Sequence, residues 1–449
     1  MNTRLRCAFL AVFLAACGAG PEPPLTTDTT VLENFTLLDG NGGPPVPGSA
    51  MVVSGGRIQW VGPQAQLNIP ARAERMDLSG KYVMPGIINL HGHLGNTLGL
   101  TQDPKNFTRE NLESQLTTLA RFGVTTYVTM GSEQPLILEL RDEQRREGRP
   151  RMTRVVTALR GFTGKEGYPT SAPGMKGVPY EVTSVQEVQT AVKELADKKA
   201  DLVKIWVDDH LGKENKIALN LAKAIIDEAH RHGLKVAAHI FYLSDAKELV
   251  RAGLDALAHS VRDKPVDDEF IALMKEKGAW LAAATLTREA STFIFGTPQA
   301  MLDDPFFQKA VPADVLATLR TPELQKRVAS GPDFKHGPEW LAMGKKNLKI
   351  LFDAGVKTGF GTDSGPPMRF QGYWEHWEME MMQDAGLKAN DILTIATRNS
   401  AEFLGMSKDL GTLETGKWAD LLILGRNPIE DIRNTRSIEM VWIAGRKVE

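Results

Sequence analysis

The chain has 449 residues, 24% of them charged, and a formal charge of −2, which is small for this length. It has no strongly basic stripe, so nucleic acid is not an expected partner. Both cysteines, Cys7 and Cys17, lie at the extreme N-terminus, which excludes disulfides, cysteine metal ligands and a cysteine nucleophile from the body of the chain.

Residues 1–17 read MNTRLRCAFLAVFLAAC. Arg4 and Arg6 form a positive head, and residues 8–16 form an apolar run. That run is shorter than the about 20 residues a bilayer requires. A signal peptide over 1–16 is expected, and its removal with Arg4 and Arg6 takes the charge from −2 to −4. Leu14-Ala15-Ala16-Cys17 resembles a bacterial lipobox, in which the cysteine is lipidated. An ordinary signal cut near Ala19 is the alternative. Residues 17–29 then form a flexible tether. The expected location is the bacterial cell envelope, on the periplasmic face or at the outer membrane. The lipid on Cys17 would be the one membrane contact.

Residues 30–84 carry short strand patterns broken by Gly and Pro, such as Ala50-Met51-Val52-Val53. Strand patterns then recur at 83–90, 124–130, 153–159, 202–207, 235–240, 256–260, 279–284 and 356–361. Amphipathic helical patterns such as 108–122, 184–199 and 215–232 separate them. Gly123, Gly233, Gly253, Gly278 and Gly355 stand where helix C-caps are expected. Alternating strands and helices imply a parallel sheet, and eight units imply a (β/α)8 TIM barrel over 85–409. The segment 286–337 is long for a connection and is expected to carry function. Residues 410–449 return to strand patterns. With 30–84 they are expected to make a small β-sandwich beside the barrel.

The polar residues fall at strand ends. The first strand runs into His91 and His93. On extended backbone an H-x-H pair sends both imidazoles the same way, a start for a metal site, although alone it reads more readily as two surface-loop histidines. The fourth strand carries Lys204 among apolar neighbours; the fifth ends at His239, the sixth at His259 and the eighth at Asp363. Catalytic groups of such barrels lie at the C-terminal strand ends.

This set resembles the amidohydrolase superfamily, in its imidazolonepropionase-like and prolidase-like branch. The strings MPGIINLHGH, AGLDALAHS, AGVKTGFGTDSG and LGTLETGKWADLLIL extend the likeness over nearly all of the chain after the tether. The resemblance implies a binuclear centre. His91, His93 and Asp363 would hold one metal, and His239 and His259 the other. Lys204, carboxylated by carbon dioxide, would bridge them. Nitrogen and oxygen ligands fit two divalent ions, zinc best. A hydroxide between the metals would attack an amide carbonyl, and Asp363 would carry its proton to the leaving group.

The resemblance thus implies hydrolysis of an amide bond in a small-molecule or short-peptide substrate, such as a dipeptide or N-acyl amino acid. Alternatives are a cyclic amide or lactone hydrolase, a mononuclear deaminase and a non-catalytic surface lipoprotein. The deaminases often place a glutamate three residues after the fifth-strand histidine; Tyr242 stands there instead and could donate to the oxyanion. Arg160, after the third strand, could clamp a substrate carboxylate or be a salt-bridged loop residue. His210, His230, His232, His336 and His376 read as surface or supporting residues, with His210 and His376 near enough to the mouth to be outside candidates. A homo-oligomer is compatible with all of this.

Overall fold

The computed structural model describes residues 29–69 and 72–449. The expected signal peptide, Cys17 and all of the tether except Thr29 lie outside the described residues. Among the described residues no helix is long and apolar enough to cross a membrane.

Strands from both flanks share one eight-stranded sheet. Thr30–Leu37 pairs antiparallel with Val46–Ser54, which pairs antiparallel with Arg57–Pro63. Gly55 and Gly56 make the tight turn between the last two at φ of 59° and 82°, where a side chain would be strained. Tyr82–Pro85 pairs antiparallel with Leu421–Leu424, which joins the two ends of the chain. Met51, Val53, Leu421 and Ile423 fall in one apolar cluster with Phe35 and Trp442, as the two-residue period of a strand requires.

Between the flanks the chain is an α/β fold. Ile87–Gly92, Val124–Thr129 and Arg154–Thr157 are parallel neighbours. Val203–Val207, Val236–Ile240, Ala256–Leu257 and Trp280–Leu281 are parallel neighbours in sequence order. Backbone bonds link the two groups on both sides. Asp201 N donates to Thr157 O at 2.9 Å, Gly359 N to Leu281 O at 2.9 Å and Leu90 N to Phe360 O at 2.7 Å. The helices between them follow from local chemistry. Ser184 Oγ accepts the Glu187 N–H at 3.2 Å and starts Val185–Asp197. That helix buries Val188, Ala191, Val192 and Leu195, one face of a 3.6-residue period. Full burial of each larger aliphatic contributes about 1.5–3 kcal/mol. The glycines expected as C-caps all adopt positive φ.

One expectation changes. The eighth strand does not form: 356–361 makes an isolated bridge at Thr358 rather than a ladder. The segment still packs closely on both neighbours and keeps single backbone bonds to them. A Cβ on Gly359 would sit 2.5 Å from Leu90 Cδ1, and one on Gly361 would sit 2.8 Å from His91 N. The segment 286–337 is not a bare connection. It holds the helices Leu286–Ser291, Pro305–Ala310, Ala313–Leu319 and Pro322–Ala329, whose Phe307, Val315, Leu319 and Leu324 pack with Tyr373 and Trp374. Asp304 and Thr321 each cap a helix whose first residue is proline, a start signal readable in the sequence.

Candidate metal centre

His91 is the penultimate residue of the strand Ile87–Gly92, and His93 follows the strand. His91 Nδ1 lies 2.9 Å from Ala258 O, which can only accept, so Nδ1 carries the proton. His93 Nδ1 lies 2.7 Å from Ser132 Oγ, whose hydroxyl donates to Glu133 Oε1 at 2.9 Å, so this Nδ1 is also a donor. Both Nε2 atoms are left as lone pairs, and both face Asp363 Oδ1, at 3.5 Å and 2.9 Å. That oxygen is buried and accepts no hydrogen bond. Three acceptors converge within 4.8 Å of one another, the one such group of histidine, cysteine and carboxylate side chains among the described residues. An arrangement of this kind is stable around a positive charge. The residues present therefore fit a divalent metal, with the second nitrogen of each imidazole already anchored. His93 shows the same demand: burial opposes its protonation, but Asp363 and Glu133 raise its pKa overall. Burial, with Lys204 next, holds His91 neutral.

Asp363 has φ +56°, and its Oδ2 takes Arg369 Nη1 at 2.7 Å and lies 3.2 Å from Arg288 Nε. Burial would raise its pKa, but Arg369, His91 and His93 hold it well below the carboxylate range. The buried Glu375 fixes the residues on either side. Its Oε1 accepts from Ser364 Oγ at 2.7 Å, Thr362 Oγ1 at 3.1 Å and Asn89 Nδ2 at 2.8 Å. Asn89 Oδ1 in turn accepts the His91 N–H at 2.9 Å. Gly365 has φ +112°, and a Cβ there would strike His93 O at 2.0 Å, so only glycine lets the two segments approach.

Lys204 is fully buried, with Nζ 3.5 Å from His91 Nε2. Burial pushes its amine down to about 7. His259 stands between the other imidazoles, 4.8 Å from His91 and 4.4 Å from His239 between ring centres. Its Nδ1 meets Thr285 Oγ1 at 2.8 Å. His239 Nε2 meets Asp208 Oδ2 at 2.8 Å. Burial pushes His239 down to about 3, despite Asp208, and keeps His259 neutral as well.

The six residues His91, His93, Lys204, His239, His259 and Asp363 are thus brought together. Arg160 is not with them. Its Nε donates to Val178 O at 2.7 Å, its Nη2 to Gly177 O and Pro179 O, and its guanidinium stacks 4.0 Å over Tyr180. Those loop carbonyls use the donors that a substrate clamp would need. Tyr242 is also turned away, its hydroxyl donating to Asp209 Oδ1 at 2.9 Å. Tyr168 faces the centre, its ring centre 5.0 Å from that of His239, and Trp206 lines the same cavity. His376 is buried rather than superficial, with Nδ1 on Thr435 Oγ1 and Nε2 on Phe122 O, both at 2.9 Å.

Sequence reasoning missed Ser132, Glu133, Asp208, Arg288 and Arg369. Ser132 and Asp208 stand just past strand ends, so the rule that found the histidines could have found them. Arg288 and Arg369 follow no strand and carried no such signal. A cavity of about 130 Å³ holds four of the imidazoles, Asp363 and Tyr168. A second, of about 360 Å³, shares Tyr168 and Arg369 with it. A larger one, about 520 Å³, lies at the opposite strand ends around Arg154 and Lys235 and contains none of the six residues.

The chain matches the amidohydrolase family model over residues 82–448, and it belongs to that family. It is a hydrolase acting on carbon–nitrogen bonds. Among known proteins it is 26% identical to a 5-methylthioadenosine/S-adenosylhomocysteine deaminase of Symbiobacterium thermophilum, over 88% of this chain and 84% of the relative. It is 23% identical to an ochratoxinase of Aspergillus niger, over 93% and 86%. A Bifidobacterium longum structure designated a prolidase superposes with TM-score 0.74 at 26% identity, covering 95% of each chain.

Proposed function

We propose that the protein is a binuclear metal-dependent amidohydrolase that cuts an amide bond in a dipeptide or N-acyl amino acid. The observation that carries this reading is the convergence of His91 Nε2, His93 Nε2 and the unpartnered Asp363 Oδ1 beside a fully buried Lys204. His91, His93 and Asp363 would hold one zinc ion and His239 and His259 the other. Lys204, carboxylated on its amine, would supply an oxygen to each. The metals would activate water and polarise the scissile carbonyl. Asp363 takes the proton of the attacking water and returns it to the leaving nitrogen. Arg288 and Arg369 hold its Oδ2, so Oδ1 is the oxygen turned to the imidazoles. Tyr168, on the wall of both cavities, is placed to meet the substrate where Tyr242 is not.

The pairing described above supports a closed (β/α)8 barrel over 85–409, beside a small β domain built on the one sheet that 30–84 and 410–449 share. The N-terminal sequence supports export and a lipid on Cys17 that holds the enzyme at the bacterial cell envelope. Similarity to a deaminase keeps a mononuclear reaction as the competitor, and the buried Lys204 favours two metals. Metal analysis of the purified chain, with a dipeptide and N-acyl amino acid panel, tests the reading. Two metals per chain with turnover are expected. Less than one metal, with no hydrolysis after zinc and bicarbonate are supplied, refutes it.

A further inference from the structure

We infer that Arg262 and Arg288, with Arg369 beside them, form a subsite for a substrate carboxylate next to the metal centre. This rests on the proposed function and specifies the substrate class for it. Arg262 and Arg288 are 3% and 8% exposed. Arg262 Nη1 donates to Ser260 O at 2.9 Å, and its Nε lies 3.2 Å from Glu289 Oε1. Arg288 Nη1 meets the same Glu289 oxygen at 2.6 Å. Arg288 Nε and Arg369 Nη1 both turn to Asp363 Oδ2. Three guanidinium groups therefore share two carboxylates. Neither Arg262 Nε nor Arg288 Nε makes a hydrogen bond of good geometry.

Glu289 serves Arg262 and Arg288, and Asp363, also a candidate metal ligand, has only Oδ2 for Arg288 and Arg369. Buried guanidinium groups short of partners are costly, and a planar carboxylate matches their fork with paired, charge-assisted bonds. The cavity of about 360 Å³ reaches all three arginines and joins the metal cavity at Tyr168 and Arg369. Two of its other acids are engaged, Asp208 by His239 at 2.8 Å and Glu214 Oε1 by His210 at 3.1 Å, while Glu214 Oε2 has no hydrogen-bond partner. Lys213 and Asp333 on its wall carry opposite charges. Phe241 and Trp340 give the same cavity an apolar side. The fitting substrate has a free carboxylate and a large apolar or aromatic side chain, with its amide at the metals. Glu289 Oε2, also without a partner, is an acceptor for a substrate N–H beside that carboxylate.

Calorimetry on the full zinc-loaded chain tests this with 3-phenylpropanoate, its amide and 3-phenylpropylamine. The carboxylate is expected to bind at least about tenfold tighter than the amide, and the amine weakest. Arg262→Met should remove the discrimination, whereas Glu289→Gln, which deletes the competing anion, should tighten the carboxylate several-fold. The opposite signs separate a lost subsite from a misfolded variant. Carboxylate and amide binding within twofold of each other overturns the inference. So does preference for the amine, or discrimination that survives Arg262→Met and so comes from the zinc alone. Metal content and hydrolysis on the same preparation report on the proposed function separately.

Discussion

Lys204→Met should make the metal-free protein more stable and the enzyme inactive. The amine is fully buried, and its pKa falls from 10.5 to about 7 because burial penalises the ammonium. At about 1.4 kcal/mol per pH unit, that fall is a destabilisation of roughly 5 kcal/mol at most. Below pH 7 the amine is protonated in the folded and unfolded chain alike, so the folded state bears the whole cost. Between about 7 and 10.5 only the unfolded chain keeps the proton, and the cost declines as pH rises. Methionine keeps much of the stem and has no charge. Its gain should be largest at pH 7 and below, about 2–5 kcal/mol after relaxation, and should vanish toward pH 10.5. Guanidinium unfolding with a chelator present, at pH 6.5 and pH 10, measures it. A methionine variant less stable than wild type at pH 6.5, or a gain that grows with pH, refutes the reasoning. The companion Lys204→Ala should lose most activity and recover part of it with small carboxylic acids. Unchanged turnover in it would remove the bridging role.

Acid should destabilise the protein through His376, which burial holds down to about 3. Between pH 6.5 and 3 the unfolded chain binds a proton that the folded imidazole refuses, so stability falls as pH falls, by about 1.4 kcal/mol per pH unit for this group. His376→Gln should flatten that slope between pH 6 and 4.5, and parallel losses in the two proteins would sink the assignment. Ser132→Ala removes the oxygen that anchors His93 Nδ1 and should weaken zinc binding about 10–100-fold in a chelator competition. An unchanged zinc affinity would mean that His93 is held by other contacts. Glu375→Gln places an amide N–H₂ where only acceptors fit and should cost about 1–3 kcal/mol in thermal unfolding, with weaker zinc binding. A stability loss that leaves zinc affinity untouched would confine Glu375 to the fold.

The cluster of candidate residues is legible in the sequence because they stand on apolar strand patterns or at their ends. His91, His239 and His259 each follow an apolar run whose register is set by alternation, and the structure brings them together as the sequence order implies. Arg160 and Tyr242 were misplaced because both were read from position alone. A position after a strand does not say which way a loop turns, and both side chains found nearer polar partners in loop carbonyls and Asp209. Arg262 stands just past the sixth strand pattern, but Arg288 and Arg369 carried no local pattern. Their meeting depends on how 286–337 and 363–372 fold back over the strand ends, which no short-range rule encodes.

The unformed eighth strand bears on how Asp363 is placed. A ladder would normally fix such a residue, yet 356–361 contributes only an isolated bridge and a few backbone bonds. Backbone bonds from Thr362 N and Asp363 N to His91 O, and from His93 N to Ser364 O, share that task with the buried carboxylate of Glu375. It gathers Thr362 and Ser364, on either side of Asp363, and Asn89, which holds the His91 N–H. Tyr127 OH adds a bond to Ser364 O at 2.9 Å. The distance between His91 and Asp363 is thus set by a direct backbone bond, Asp363 N to His91 O at 2.7 Å, together with these side-chain ties, while Gly361 and Gly365 let the backbones approach. A side-chain tie accepts the left-handed φ of Asp363 that a regular strand would forbid. That conformation lets one carboxylate face two imidazoles on Oδ1 and two arginines on Oδ2 at once.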